Sequence, residues 1–163
     1  MKDNFPACLA FTLQFEGGFV DNPRDPGGAT SLGVTQRTLA AWRHKPVTIS
    51  DVRNLGTNEA GQIYRALYWD HAGGDALPKG VDLMAFDIAV NMGTARAETW
   101  LAQTTTLETS ARIARLDALR CGFWRALRTF PVFGKGWLRR ETACLALARK
   151  MIQPPVQTTI SGA

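Results

Sequence analysis

Residues Glu16 to Gly33 read EGGFVDNPRDPGGATSLG, a stretch in which an apolar helical run stops at a carboxylate and a polar, turn-rich segment begins. Upstream, FPACLAFTLQFE places Phe5, Cys8, Leu9, Thr12 and Phe15 at the three-and-four spacing of one helix face, with Glu16 on the same face. A carboxylate ending a mostly apolar stripe breaks two local rules: it lies beside the negative end of the helix dipole, and it is drawn toward the core. General-acid catalysis needs a carboxyl group kept protonated near neutral pH, and functional sites are where such rules are broken. Glu16 is therefore the candidate catalytic acid.

Gly17 and Gly18 stop the helix and leave room for a ligand to reach the backbone. Asp21, Asn22, Pro23, Asp25, Pro26, Gly27, Gly28 and Gly33 then give a density of turn formers that predicts a tight hairpin or looped ribbon, with its few extended residues near Ala29 to Val34. Asp25 and Thr30 are the polar groups this loop can turn back toward Glu16, one as a second carboxylate and the other as a hydroxyl that orients a water. Asp25 before Pro-Gly-Gly is equally readable as a turn stabiliser.

The rest of the chain reads as helix. Thr35 caps a helix that buries Leu39 and Trp42 and ends before Pro46; Ser50 caps a short one; Thr57 caps a longer one through Trp69, striped by Ala60, Ile63, Tyr64, Leu67 and Tyr68. Tyr68 and Trp69 fall at its end, where an aromatic plane can stack on a sugar ring. Val81 to Met92 is apolar nearly all round and marks the central buried helix, within which Asp87 needs a partner and reads as a structural anchor. Asn91 precedes the helix break at Gly93, so its amide is a candidate for bonding a sugar hydroxyl or N-acetyl group. Two longer helices, about 109–128 and 136–152, should form a helical hairpin joined by TFPVFGKG, followed by a Pro-led polar tail.

At 163 residues and 45% hydrophobic content the chain can build one real core. No run approaches a membrane-spanning length, and Lys2 with FPACLAFTL imitates a signal peptide only faintly, so the reading is a leaderless chain made in the cytoplasm. Cys8, Cys121 and Cys144 are widely spaced within apolar patterns and read as core; His44 and His71 are isolated. Neither a metal site nor a cofactor is expected. Residues 1–108 carry net charge −3 and residues 109–163 net +8, so the C-terminal helices could hold an anionic polymer, including through Arg139 and Arg140, or simply present a solvated face.

EGGF (Glu16–Phe19) followed by DPGGATSLG (Asp25–Gly33) resembles the signature of the glycoside hydrolase family 108 muramidases, which cleave peptidoglycan. The resemblance continues in YRALYWD (Tyr64–Asp70), FDIAVNMGTARAETWLAQ (Phe86–Gln103) and FWRALRTFPVFGKGWLRR (Phe123–Arg140), the last similar to the family's C-terminal peptidoglycan-binding-like segment. It implies a mainly α, lysozyme-like domain over 1–105 with a small β-hairpin after the catalytic helix, a basic helical hairpin over 106–153 packed on it, and a flexible tail over 154–163. It also implies Glu16 as catalytic acid, the only role the signature carries over. The spacing from Glu16 to Asp25 resembles the Glu/Asp/Thr site of phage lysozymes, although four residues separate Asp25 and Thr30 here where five do there.

The expected substrate is then the glycan strand of peptidoglycan, cut by a monomer acting on the wall in the periplasm after passage through a holin pore as a phage or prophage lysis enzyme, with a bacterial release system as second choice. The alternative is a non-catalytic module that binds cell wall or nucleic acid through the basic hairpin; the unfavourable placement of Glu16 counts against it, and nucleic acid is the disfavoured partner.

Overall fold

A computed structural model describes residues 4–21 and 27–154. Its centre is helix α5, Val81–Met92, in which every residue from Val81 to Ala89 is buried. A helix apolar on all sides must be wrapped, and four others do so: α1 (Phe5–Leu13), α6 (Thr94–Ala102), α7 (Thr109–Ala126) and α8 (Phe130–Met151). Phe86 lies at the hub, edge-on to Phe5, Tyr64 and Trp69 at centroid distances of 5.8, 6.2 and 5.7 Å. Each such side chain contributes roughly 1.5–3 kcal/mol of burial, and the T-shaped contacts add to it. Among the described residues the fold is mainly helical with one small antiparallel sheet, as the sequence predicts.

That sheet pairs β1 (Thr30–Ser31) with β2 (Val34–Thr35), Thr30 facing Thr35 and Ser31 facing Val34. Leu32 and Gly33 form the turn, both with positive φ (50° and 72°), the sense that matches strand twist in a two-residue hairpin. On its other edge Thr30 exchanges both backbone hydrogen bonds with Val20 at 2.8 Å, which ties the segment after Glu16 to the hairpin.

Several local expectations are corrected. Helix α1 ends at Leu13, because the backbone tightens into three-residue turns (Gln14 N–H to Phe11 O, Phe15 N–H to Thr12 O); Glu16 lies in the bend beyond it, not on its stripe. Helix α2 (Gln36–Arg43) is capped by Thr35 as expected, but α3 (Ile49–Arg53) is capped by Thr48, since Asp51 completes a capping box there that Ser50 lacks. Helix α4 (Thr57–Tyr64) has Gly56 at its cap and continues as a π turn over Arg65–Trp69. The extra residue in that turn rotates the face, so Trp69 turns into the core and Leu67, read as core, is exposed.

Helix α8 begins at Phe130, six residues before the expected start. Pro131 is tolerated in a first turn, and Gly134 lets the Phe130 ring lie against the helix: a Cβ there would meet the ring at 2.6 Å. Of the expected tail, residues 155–163 lie outside the described residues.

Candidate active site

The bend after α1 brings Glu16 under the Leu32–Gly33 turn. A Cβ on Gly33 would fall 2.9 Å from Glu16 Oε2 and would collide with the Tyr64 hydroxyl, so only glycine fits both the φ and the space. Tyr64, from the end of α4, donates to the carbonyl of Leu32 at 3.1 Å and fixes the hairpin over the acid. Burial, with the charge of Glu16 next, pushes the Tyr64 hydroxyl well above its usual range, so it stays a neutral donor.

Below the acid is a buried network of charges that reaches through three helices. Arg140 of α8 donates from Nη1 to Glu16 Oε1 at 3.0 Å and from Nη2 to Asp87 Oδ1 at 2.7 Å, with Nε shared between both Asp87 oxygens. Asp87 also accepts from Arg120 Nη2 of α7 at 2.7 Å and from the Thr12 hydroxyl of α1 at 3.2 Å. Exposure falls along this line, with side chains 21% exposed at Glu16, 10% at Arg140 and 0% at Asp87. The acid thus meets solvent while its support does not.

For Asp87, burial opposes the charge, but the Arg120 charge and the bonds from Arg140 outweigh it and hold the carboxyl below the usual carboxylate range. For Arg140, burial is likewise overcome, first by Asp87 and then by Glu16.

Arg120 also lies 2.8 Å from Glu141 Oε2, yet neither Glu141 oxygen is aligned for a hydrogen bond. A misaligned ion pair with a shared arginine does not offset desolvation, and burial pushes the Glu141 carboxyl up to about 8 against Arg120, with Asp117 adding to the rise. Burial thus favours the protonated form of Glu141, and Asp87 is the carboxylate that both arginines share.

Of the residues singled out from sequence, Glu16 stands at this centre and Thr30 in the first hairpin strand, partly exposed. Asp25 lies outside the described residues. Tyr68 is half-buried beside Tyr64, with ring centroids 5.5 Å apart, and burial followed by the charge of Glu16 raises its hydroxyl, which places it within the acid's field. Trp69 is corrected: it is fully buried, its indole N–H donates to Asp75 at 3.0 Å, and it has no face to offer a sugar. Asn91 is exposed at the end of α5, its amide donating to the Asp87 carbonyl at 3.2 Å.

Asp87 is an anchor, as read, but the reading of Arg139 and Arg140 as one basic surface does not hold. Adjacent residues on a helix point about 100° apart, so Arg139 is exposed and Arg140 is buried.

Arg120 and Glu141 were not picked out from sequence, while Tyr64 was read only as part of a helix stripe and Arg140 only as a surface cation. A signal was present: Arg120 interrupts the stripe Ile113, Leu116, Trp124, and Glu141 falls on the line of Cys144 and Ala148, so both charges sit at core positions. A buried Asp87 requires such partners.

A partly exposed carboxyl, clamped by an arginine that is itself clamped from within, is an arrangement for holding one acid in one orientation. The family model of glycosyl hydrolase 108 matches residues 9–93, from α1 through the hairpin to the end of α5. The chain belongs to the glycosyl hydrolase 108 family. It is a glycoside hydrolase of the lysozyme-like type, acting on peptidoglycan. The solved structure described as "Structure of Brucella abortus SagA" is similar over 95% of this chain and 99% of that one, with 32% identity and a TM-score of 0.81. A comparison with curated protein sequences returns no match. The family match stops before α7 and α8, whereas the structural likeness to the Brucella protein spans nearly the whole chain. The arginines that support Glu16 thus lie beyond the matched segment.

Proposed function

We propose that the protein is an N-acetylmuramidase that hydrolyses the β-1,4 bond between N-acetylmuramic acid and N-acetylglucosamine. Glu16 protonates the glycosidic oxygen as positive charge builds on the sugar, and Asp25 or a water held by Thr30 completes hydrolysis. The observation that carries this reading is the placement of Glu16, partly exposed beneath the hairpin turn and bonded through Arg140 to the buried Asp87. Arg140 keeps Oε1 engaged, which leaves Oε2, the oxygen under Gly33, as the one to present the proton. Tyr68, beside Tyr64, and Asn91, exposed at the end of α5, are the proposed sugar contacts.

The charge surplus of the α7–α8 region supports a second element of the reading, that exposed cations such as Arg128, Arg149 and Lys150 hold the anionic wall. In the cell the enzyme acts on the wall in the periplasm as a phage or prophage lysis protein passing through a holin pore, a role supported by the family resemblance. No helix among the described residues is long and apolar enough to cross a membrane. The likeness to a protein of Brucella abortus, a bacterium, favours a bacterial setting with its own release system as the second reading.

Digestion of purified sacculi followed by mass spectrometry of the products tests the bond assignment. Fragments ending in reducing N-acetylmuramic acid are expected; reducing N-acetylglucosamine ends or freed peptides would overturn it.

A further inference from the structure

Where α7 turns into α8, the chain leaves apolar side chains in solvent. Val132 and Phe133, in the first turn of α8, are 74% and 53% exposed, and Pro131 before them is exposed as well. They are backed by a group of aromatic rings: Trp137 stacks on Trp124 at a centroid distance of 5.8 Å and meets Phe133 at 5.9 Å and Phe130 at 6.4 Å. None of these four rings belongs to the core built on α5, and the group is tied to the buried network only where the Arg120 guanidinium lies 4.6 Å over the Trp124 ring. A small satellite cluster thus stiffens the tip, and the exposure of Val132 and Phe133 is not a by-product of core packing.

Charge is arranged around this tip with one sign. Arg125, Arg128, Lys135 and Arg139 are exposed, and no Asp or Glu occurs from Ala118 to Arg140. Among the described residues none of these four cations enters an ion pair. Val132, Lys135 and Arg139 have the three-and-seven spacing of one helix face, which sets the two cations about 4.5 and about 10.5 Å behind Val132 along the axis.

An apolar tip with a cationic collar argues against two occupants. A second copy would set collar against collar, and like charges repel. A sugar needs an open aromatic plane, whereas Val132 and Pro131 are aliphatic and the Trp137 indole is engaged by its neighbours. An anionic bilayer suits both halves, because interfacial side chains sink about 5–10 Å into the headgroup and acyl boundary, and cations at that height meet lipid phosphates.

We propose that the α7–α8 tip is a membrane-contact surface, with Val132 and Phe133 entering the acyl boundary of an anionic leaflet while Arg128, Lys135 and Arg139 bind the phosphates around them. The contact is peripheral, made by one hairpin tip, and does not depend on which bond Glu16 cleaves. It holds the enzyme at the lipid surface beside the wall.

Co-sedimentation of the full-length protein with phosphatidylcholine vesicles, with and without phosphatidylglycerol, tests this. The wild type is expected to partition at least about tenfold more strongly onto the anionic vesicles. Val132→Ser with Phe133→Ser should lower that partitioning by about tenfold while keeping the preference for phosphatidylglycerol, and Lys135→Gln with Arg139→Gln should remove most of the preference. Because Phe133 also packs on Trp137, Val132→Asp alone gives an independent reading: its side chain faces water, so the circular dichroism should be unchanged while binding falls by about tenfold. A wild type that ignores both vesicles, or binds them equally, overturns the proposal. Apolar variants that bind as the wild type does would also overturn it and leave only a charged surface. So would a wild-type dimer in analytical ultracentrifugation that Val132→Asp dissolves, since the tip would then belong to a second copy.

Discussion

Gly33 shows how closely the single residues around the acid are specified. Its φ of 72° and the space taken by Glu16 Oε2 and the Tyr64 hydroxyl both exclude a Cβ. Gly33→Ala is expected to lower stability by about 1–3 kcal/mol through strain and to displace the acid, so that turnover falls more than the melting temperature alone explains. Equal activity per folded molecule would show that the turn does not set the acid's position. Asp87 is the opposite case, a charge with no solvent contact that balances two arginines. Asp87→Asn keeps the shape but leaves Arg120 and Arg140 without their shared counter-charge, an expected loss of about 3–5 kcal/mol measured by denaturant unfolding. A change under about 1 kcal/mol would mean that the network is not what holds α5, α7 and α8 together.

Among the elements, the α7–α8 hairpin carries a titration of its own. Glu141 is shifted from 4.5 to about 8 in the folded chain by burial, so the folded state keeps a proton there that the unfolded state has lost. Its contribution to stability is full below pH 4.5 and is lost as pH rises through about 8. The groups that face it are Arg120, Asp117 and Cys121 of α7, Asp87 of α5 and Cys144 of its own helix. Glu141→Gln, which is neutral at every pH, should flatten the fall in melting temperature between about pH 4.5 and 8 and be the more stable form at the alkaline end. Parallel curves for variant and wild type would contradict the assignment.

The elements also show what the sequence made legible. Helix α5 and the Thr35 cap follow from local pattern alone, because an all-apolar helix and a capping hydroxyl announce themselves within a few residues, whereas the density of turn formers placed extended residues near Ala29 to Val34 without marking the turn at Leu32–Gly33. The π turn at 65–69 does not, since one extra residue rotates a face without any compositional mark, and it is what sent Trp69 inward and Leu67 outward. The early start of α8 was hidden by Pro131, Gly134 and Gly136, which read as a loop until the Phe130 ring is seen to need the glycine.

At the scale of the molecule, the acid and its support come from opposite ends of the chain. Glu16 follows the first helix and Arg140 belongs to the last, so the pairing that defines the site spans 124 positions and had no local trace beyond a lone buried Asp87 that needed partners. The same geometry divides the C-terminal charge into two populations, one buried behind the acid and one facing solvent. The exposed population should bind purified sacculi in a salt-dependent manner, because exposed charges interact over only about 10 Å at 0.1 M ionic strength, while Arg140 contributes nothing to that adsorption. Adsorption indifferent to salt would remove the electrostatic account of wall binding.

The central claim is that Glu16 is the proton donor and that the buried network exists to hold it. Glu16→Gln preserves the size of the side chain and its bond-accepting oxygen but cannot donate an ionisable proton, so the decisive measurement is the clearing of outer-membrane-permeabilised cells by this variant alongside its circular dichroism. The account predicts an unchanged helical spectrum with clearing slowed by at least about a hundredfold. A variant that folds as the wild type does and clears cells at a comparable rate would contradict it.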